Sequence, residues 1–182
     1  MDAVSNHLQH NITKEYFAMT DQEKIDKAVD TAKKTQIRDD LCARSALYGL
    51  QSVFDFIPDS LVTASASLAG GCGSASGSCG AYCSCLLAVG LKFNATMEEE
   101  SADPEAFPKK TAAAFNEYRD RFRAAMGTTL CPEIQEKIFG RSYKLYEPEE
   151  VQEYLSLPGH AEKCAEVVGT ATHIAAEMLL GM

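Results

Sequence analysis

Residues 60–91 read SLVTASASLAGGCGSASGSCGAYCSCLLAVGL, a long stretch without one charged side chain. Such a stretch is either a membrane span or the buried centre of a soluble domain. Gly, Ser and Cys dominate it, and its apolar run Leu86–Leu91 falls far short of the ~20 residues that cross a bilayer. No membrane span is therefore expected, and the stretch reads as the interior of a soluble domain. Within it, Gly70-Gly71-Cys72-Gly73-Ser74-Ala75-Ser76-Gly77 is a glycine-rich loop. Pro58 suits the start of a short helix before the loop, roughly Asp59 to Leu68, and helix resumes after it from near Cys79 to about Leu91.

Working outward, the flanks carry helical signals and no alternating strand pattern. Thr20-Asp21-Gln22-Glu23 is a capping box that opens a polar helix to about Thr35. A second helix is expected from Asp39-Asp40, with Cys42, Ala46, Leu50, Val53 and Ile57 on one inward face. The acidic run Glu98-Glu99-Glu100 reads as a solvated loop. Between Pro104 and Met126, Thr111, Phe115, Tyr118, Phe122, Ala125 and Met126 form a core stripe at helical spacing, ended by Gly127. Cys131-Pro132 opens a further helix, with Pro132 expected at its first position. In the last helix Cys164, Val167, Val168, Ala171, Ile174, Ala175, Met178 and Leu179 share a face. The expected fold is all-α, a single-domain bundle of about six or seven helices over residues 20–182, preceded by an N-terminal extension over 1–19.

Composition narrows function by exclusion. The chain has 182 residues, 46% hydrophobic and 24% charged, which are globular values. With 17 Lys and Arg against 26 Asp and Glu, the formal charge is −9, so nucleic acid is not an expected partner. Met1 to His10 shows no secretory signal, which points to the cytoplasm and to reduced thiols. The glycine loop matches neither a P-loop nor a dinucleotide fingerprint. No C-x-x-C-H, H-E-x-x-H or Ser/His/Asp arrangement is present. His7 and His10 stand at i,i+3 within the extension, His160 near a helix start it could cap, and His173 on the solvent side of the last helix.

Seven cysteines remain to be explained. Cys79 and Cys131 open helices, where exposed amides and the helix dipole favour a thiolate. Cys42 and Cys164 lie on inward helix faces. Two helix starts and two helix faces can therefore meet in the interior, although the four are 37, 52 and 33 residues apart. Spacing alone leaves two readings level: a thiolate ligand set, or four small buried hydrophobes. Cys72 and Cys83 are secondary candidates as ligands, Cys83 also as a resolving thiol one turn from Cys79, while Cys85 points away and reads as structural.

The order Cys42-Ala43, Cys79-Gly80-Ala81, Cys131, Cys164 resembles the redox-active protein family named after its C-GCAxxG-C-C pattern, and the likeness covers most of residues 24–180. A similar module occurs in split-Soret cytochromes c. The resemblance implies a helical redox protein whose Cys42, Cys79, Cys131 and Cys164 hold one iron–sulfur cluster, read as [2Fe–2S] ahead of [4Fe–4S], for electron transfer or redox sensing. It departs from the pattern at Ser84, where the motif ends in Gly. The acidic surface would then suit a redox partner with a basic docking face, and a homodimer is one expected state. Three alternatives stay open: a thiol–disulfide oxidoreductase with Cys79 as nucleophile and Cys83 or Cys131 resolving, a zinc-stabilised helical binding module, and a helical interaction protein whose cysteines only pack.

Overall fold

A computed structural model describes residues 19–182. Apart from Met19, the expected extension lies outside these residues, as do His7 and His10. The first helix, α1 (Asp21–Asp39), opens on the anticipated capping box. The Thr20 hydroxyl accepts from the Glu23 amide at 3.3 Å, and the Glu23 carboxylate accepts from the Thr20 amide at 2.7 Å. Thr20→Ala removes the first of these bonds and the side chain that closes the box. It is expected to cost about 1 kcal/mol, a fall of roughly 2–4 °C in melting temperature at this chain length. Calorimetry checks this, and an unchanged melting point would mean that packing alone starts α1.

Helix α1 runs four residues beyond the expected Thr35 and stops where Asp40 turns left-handed, at φ 50°. The turn places Cys42 at the first position of α2 (Cys42–Gln51), so the helix begins two to three residues later than the expected Asp39-Asp40 start. Helix α2 is also shorter than expected. Val53 and Ile57 are buried from the turns that follow it, where Phe54 joins them. Pro58 caps α3 (Asp59–Ser65), and a 3₁₀ turn over Ala66–Leu68 leads into the glycine loop.

Beyond the loop come α4 (Gly80–Phe93), α5 (Met97–Ala102), α6 (Ala113–Met126), α7 (Cys131–Phe139), α8 (Pro148–Leu155) and α9 (His160–Leu180). The architecture is the expected all-α single domain. Among the described residues eight helices have seven or more residues, one beyond the expected range, because Pro148 and Pro158 bound a helix of their own. The acidic run is a helix and not a loop. Thr96 and Glu99 form a second capping box, which places Glu98, Glu99 and Glu100 in the first turn of α5. Residues Phe107–Ala112 wind as a π-helix, so the regular helix expected from Pro104 begins only at Ala113. Pro132 stands second in α7, after Cys131.

Helix α9 is the axis of the core, with Val168, Ala171, Thr172, Ala175 and Ala176 fully buried. It packs on α1, α2, α4 and α6. On α6 the expected stripe holds at Tyr118 and Phe122 but not at Ala125, which is exposed. Tyr82 of α4 stacks on Tyr118 with ring centres 5.4 Å apart and tilts against Phe122 at 5.1 Å. Among the described residues no helix is long and apolar enough to cross a membrane, consistent with the Gly/Ser/Cys reading of residues 60–91.

Candidate functional site

The glycine loop folds back on itself before delivering Cys79. The Gly77 amide donates to the Gly71 carbonyl at 2.9 Å. A Cβ on Gly71 would meet the Gly77 nitrogen at 2.7 Å, and its φ of 82° is one that side chains disfavour. Ser78 then pairs with Leu130 as an isolated antiparallel bridge. The Cys79 amide donates to the Thr129 carbonyl at 2.7 Å, and the Cys131 amide to the Gly77 carbonyl at 2.9 Å. These bonds tie the starts of α4 and α7 together in register. Two cysteines 52 residues apart in sequence become neighbours by backbone pairing.

Cys42, Cys79, Cys131 and Cys164 all line one cavity of about 230 Å³. Much of the rest of its wall is apolar, including Ile134, Ile138, Leu145, Val151 and Val167. Three of the four cysteines sit at helix starts, and only Cys164 projects from within a helix. The electrostatic influence of Cys42 reaches Cys79, Cys131 and Cys164, and also Cys83, which does not line the cavity. Cys131 in turn acts on Cys79 and is acted on by Cys164.

Gly80, the glycine of Cys-Gly-Ala, explains how Cys42 comes so near. A Cβ there would lie 2.5 Å from the Leu68 carbonyl oxygen and 2.9 Å from the Cys42 sulfur. Only a residue without a side chain lets that carbonyl and that sulfur approach the start of α4 together. Ser84 takes the place of the motif's last glycine without strain. It is fully buried, and its hydroxyl donates to the Ala81 carbonyl at 3.2 Å.

The helix-start argument for a Cys79 thiolate does not survive the structure. Cys79 is 5% exposed, and burial, reinforced by Cys42, pushes its thiol well up from the ordinary range despite opposing amides of Tyr82 and Ala81. Burial likewise pushes Cys131 and Cys164 up to about 12. It raises Cys42 too, opposed by the amides of Gly70, Ala81 and Ala43. Buried neutral thiols ringed by amides are poor free nucleophiles. They remain good ligands, because a bound cation displaces the thiol proton outright.

Polar side chains that the sequence reading did not single out surround the thiols. Gln135 donates to the Cys131 sulfur at 3.7 Å and accepts from the Tyr143 amide at 2.8 Å. Its i+4 spacing from Cys131 was the available clue. The Tyr154 hydroxyl lies 3.1 Å from the Cys164 sulfur, a contact made across a loop and invisible to periodicity. Asp40 bonds Gln36 and His160, each at 2.8 Å, so His160 reaches across to α1 besides contacting the Leu157 carbonyl at 3.3 Å. His173 pairs with Glu177 on the solvent side. The Gln36 Oε1, in a side chain lining the cavity, is buried without a hydrogen-bond partner among the described residues.

Cys72 and Cys83 do not line the cavity. They stand together, with their sulfurs 3.7 Å apart. Cys85 is fully buried in the core beside Tyr118 and Thr172, where burial pushes it up to about 12. Among the described residues no three His, Cys, Asp or Glu side chains are placed to hold a single metal ion.

A family model described as putative redox-active protein (C_GCAxxG_C_C) matches residues 41–178, a span that contains all seven cysteines. No curated protein and no solved structure gave a match.

Proposed function

Because the chain belongs to the C_GCAxxG_C_C family of redox-active proteins, we propose that Cys42, Cys79, Cys131 and Cys164 together hold one iron–sulfur cluster, read as [2Fe–2S]. The observation that carries this reading is the convergence of four sequence-distant thiols on the wall of one cavity. Thiolates are soft charged donors that suit iron.

Such a cluster supplies reversible one-electron chemistry. The protein's part is to set its potential and keep it dry. Amides of Gly70, Ala43 and Ala81 near Cys42, and of Tyr82 and Ala81 near Cys79, favour the reduced, more negative state. The Asp40 carboxylate, close enough to raise both Cys42 and Cys164, works in the opposite sense. The apolar wall excludes water. Gln135 and Tyr154 orient Cys131 and Cys164. A formal charge of −9 draws in a partner with a basic docking face.

A potentiometric titration of the visible spectrum tests the electron count. The reading expects a one-electron Nernst slope of about 59 mV per decade. A protein with no visible absorption, whose thiols titrate against a dithiol redox buffer with a slope of about 30 mV, the mark of a two-electron couple, would replace the cluster by thiol–disulfide chemistry.

A further inference from the structure

Cys72 and Cys83 are brought together by the loop alone. Cys72 is exposed, and its sulfur lies 3.7 Å from that of the half-buried Cys83 and 3.6 Å from the Ser78 carbonyl. Cys83 occupies the first turn of α4. Cys72 reaches it because the chain curls back through consecutive left-handed residues: Gly71, Cys72, Gly73 and Ser74 have φ of 82°, 64°, 72° and 58°. Left-handed backbone at Cys72 and Ser74 is uncommon for residues with side chains and is held where the surrounding structure demands it. Here it holds one thiol in solvent directly over another. A disulfide requires the two sulfurs to close by about 1.6 Å to 2.05 Å, a shift an exposed loop can make. Neither residue lines the four-cysteine cavity.

We propose that Cys72 and Cys83, outside the cavity wall, form a second redox site that exchanges with a low-molecular-weight disulfide. The exposed Cys72 thiol loses its proton and attacks one sulfur of the small disulfide. That S–S bond breaks, and the first small thiolate leaves and takes up a proton. Cys83, whose thiol burial and the neighbouring Cys72 push up to about 12, gives its proton to the departing small thiolate as its sulfur attacks Cys72, which expels the second small thiol and leaves a Cys72–Cys83 disulfide. Two protein thiols are oxidised by two electrons, and one small disulfide is reduced to two thiols. The site does not depend on the cluster reading.

Oxidised glutathione is the probe, applied to the full chain with products followed by intact mass and by chymotryptic mapping, since cleavage after Tyr82 separates Cys72 from Cys83. The wild type is expected to gain one internal disulfide between these two residues and to retain no glutathione. Cys83→Ser should stall with one glutathione on Cys72, and Cys72→Ser should lose both products. Iron content should be the same in Cys72→Ser as in the wild type. A disulfide linking any other pair, no mixed disulfide in Cys83→Ser, or iron lost from Cys72→Ser would each overturn the proposal. Failure of the wild type to bind iron would bear on the four-cysteine cavity alone.

Discussion

Alanine in place of Cys42 should strip the protein of iron while leaving it folded. Cys42 lines the same cavity as the other three cysteines, so its loss removes one of the four proposed ligands. Substituting a residue that merely orients a ligand typically costs 10–100-fold in metal affinity. Removing the ligand itself should cost at least that, so the iron content should fall clearly below that of the wild type. The residue is only partly buried and alanine is small, so melting of the metal-free protein should move little. Cys85→Ala is the control: Cys85 is buried in the core away from the cavity, and its loss should lower stability but not iron content. Iron analysis of the two variants side by side checks both statements. Equal iron in Cys42→Ala and wild type would remove Cys42 from the ligand set.

Gly80→Ala should damage both stability and the site. Two effects compete there. Alanine improves helix propensity over glycine by at most about 1 kcal/mol. Against that, its Cβ would stand 2.5 Å from the Leu68 carbonyl oxygen, 3.0 Å from the Leu68 carbonyl carbon and 2.9 Å from the Cys42 sulfur. Two of those atoms are backbone and cannot swing away, so overpacking of about 1–3 kcal/mol should win. The third is a proposed ligand, so relief of the clash moves Cys42 out of place. The expected result is a melting point several degrees lower together with reduced iron. Thermal unfolding of the metal-free variant separates the packing effect from the loss of bound metal. An alanine variant as stable and as iron-loaded as the wild type would mean that α4 does not approach Leu68 and Cys42 this closely.

What the sequence disclosed and what it hid divide along a physical line. Features encoded locally were legible: the Thr20 capping box, the buried stripe of α9, the Tyr118 and Phe122 core of α6, and the charge-free interior around the loop. The second capping box at Thr96 and Glu99 was equally available and was overlooked beneath its acidic run. Features that depend on tertiary placement were not legible. The bridge between Ser78 and Leu130 joins the cysteine-bearing helix starts with no alternating pattern, because it is one residue pair long. The pairing of Cys72 with Cys83, rather than of Cys83 with Cys79, follows from left-handed backbone at residues that are not glycine. The expected helix-start activation of Cys79 failed because burial outweighs the amide field, and burial depth cannot be read from a helix boundary.

The central claim is that the four-cysteine cavity is a cluster site. Iron, zinc and acid-labile sulfide in anaerobically purified protein, with a visible spectrum before and after dithionite, test it most directly. The account predicts about two iron and an equal amount of sulfide per chain, with visible absorption that bleaches on reduction. Stoichiometric zinc in a colourless protein, or no iron and sulfide even after anaerobic reconstitution, would contradict it.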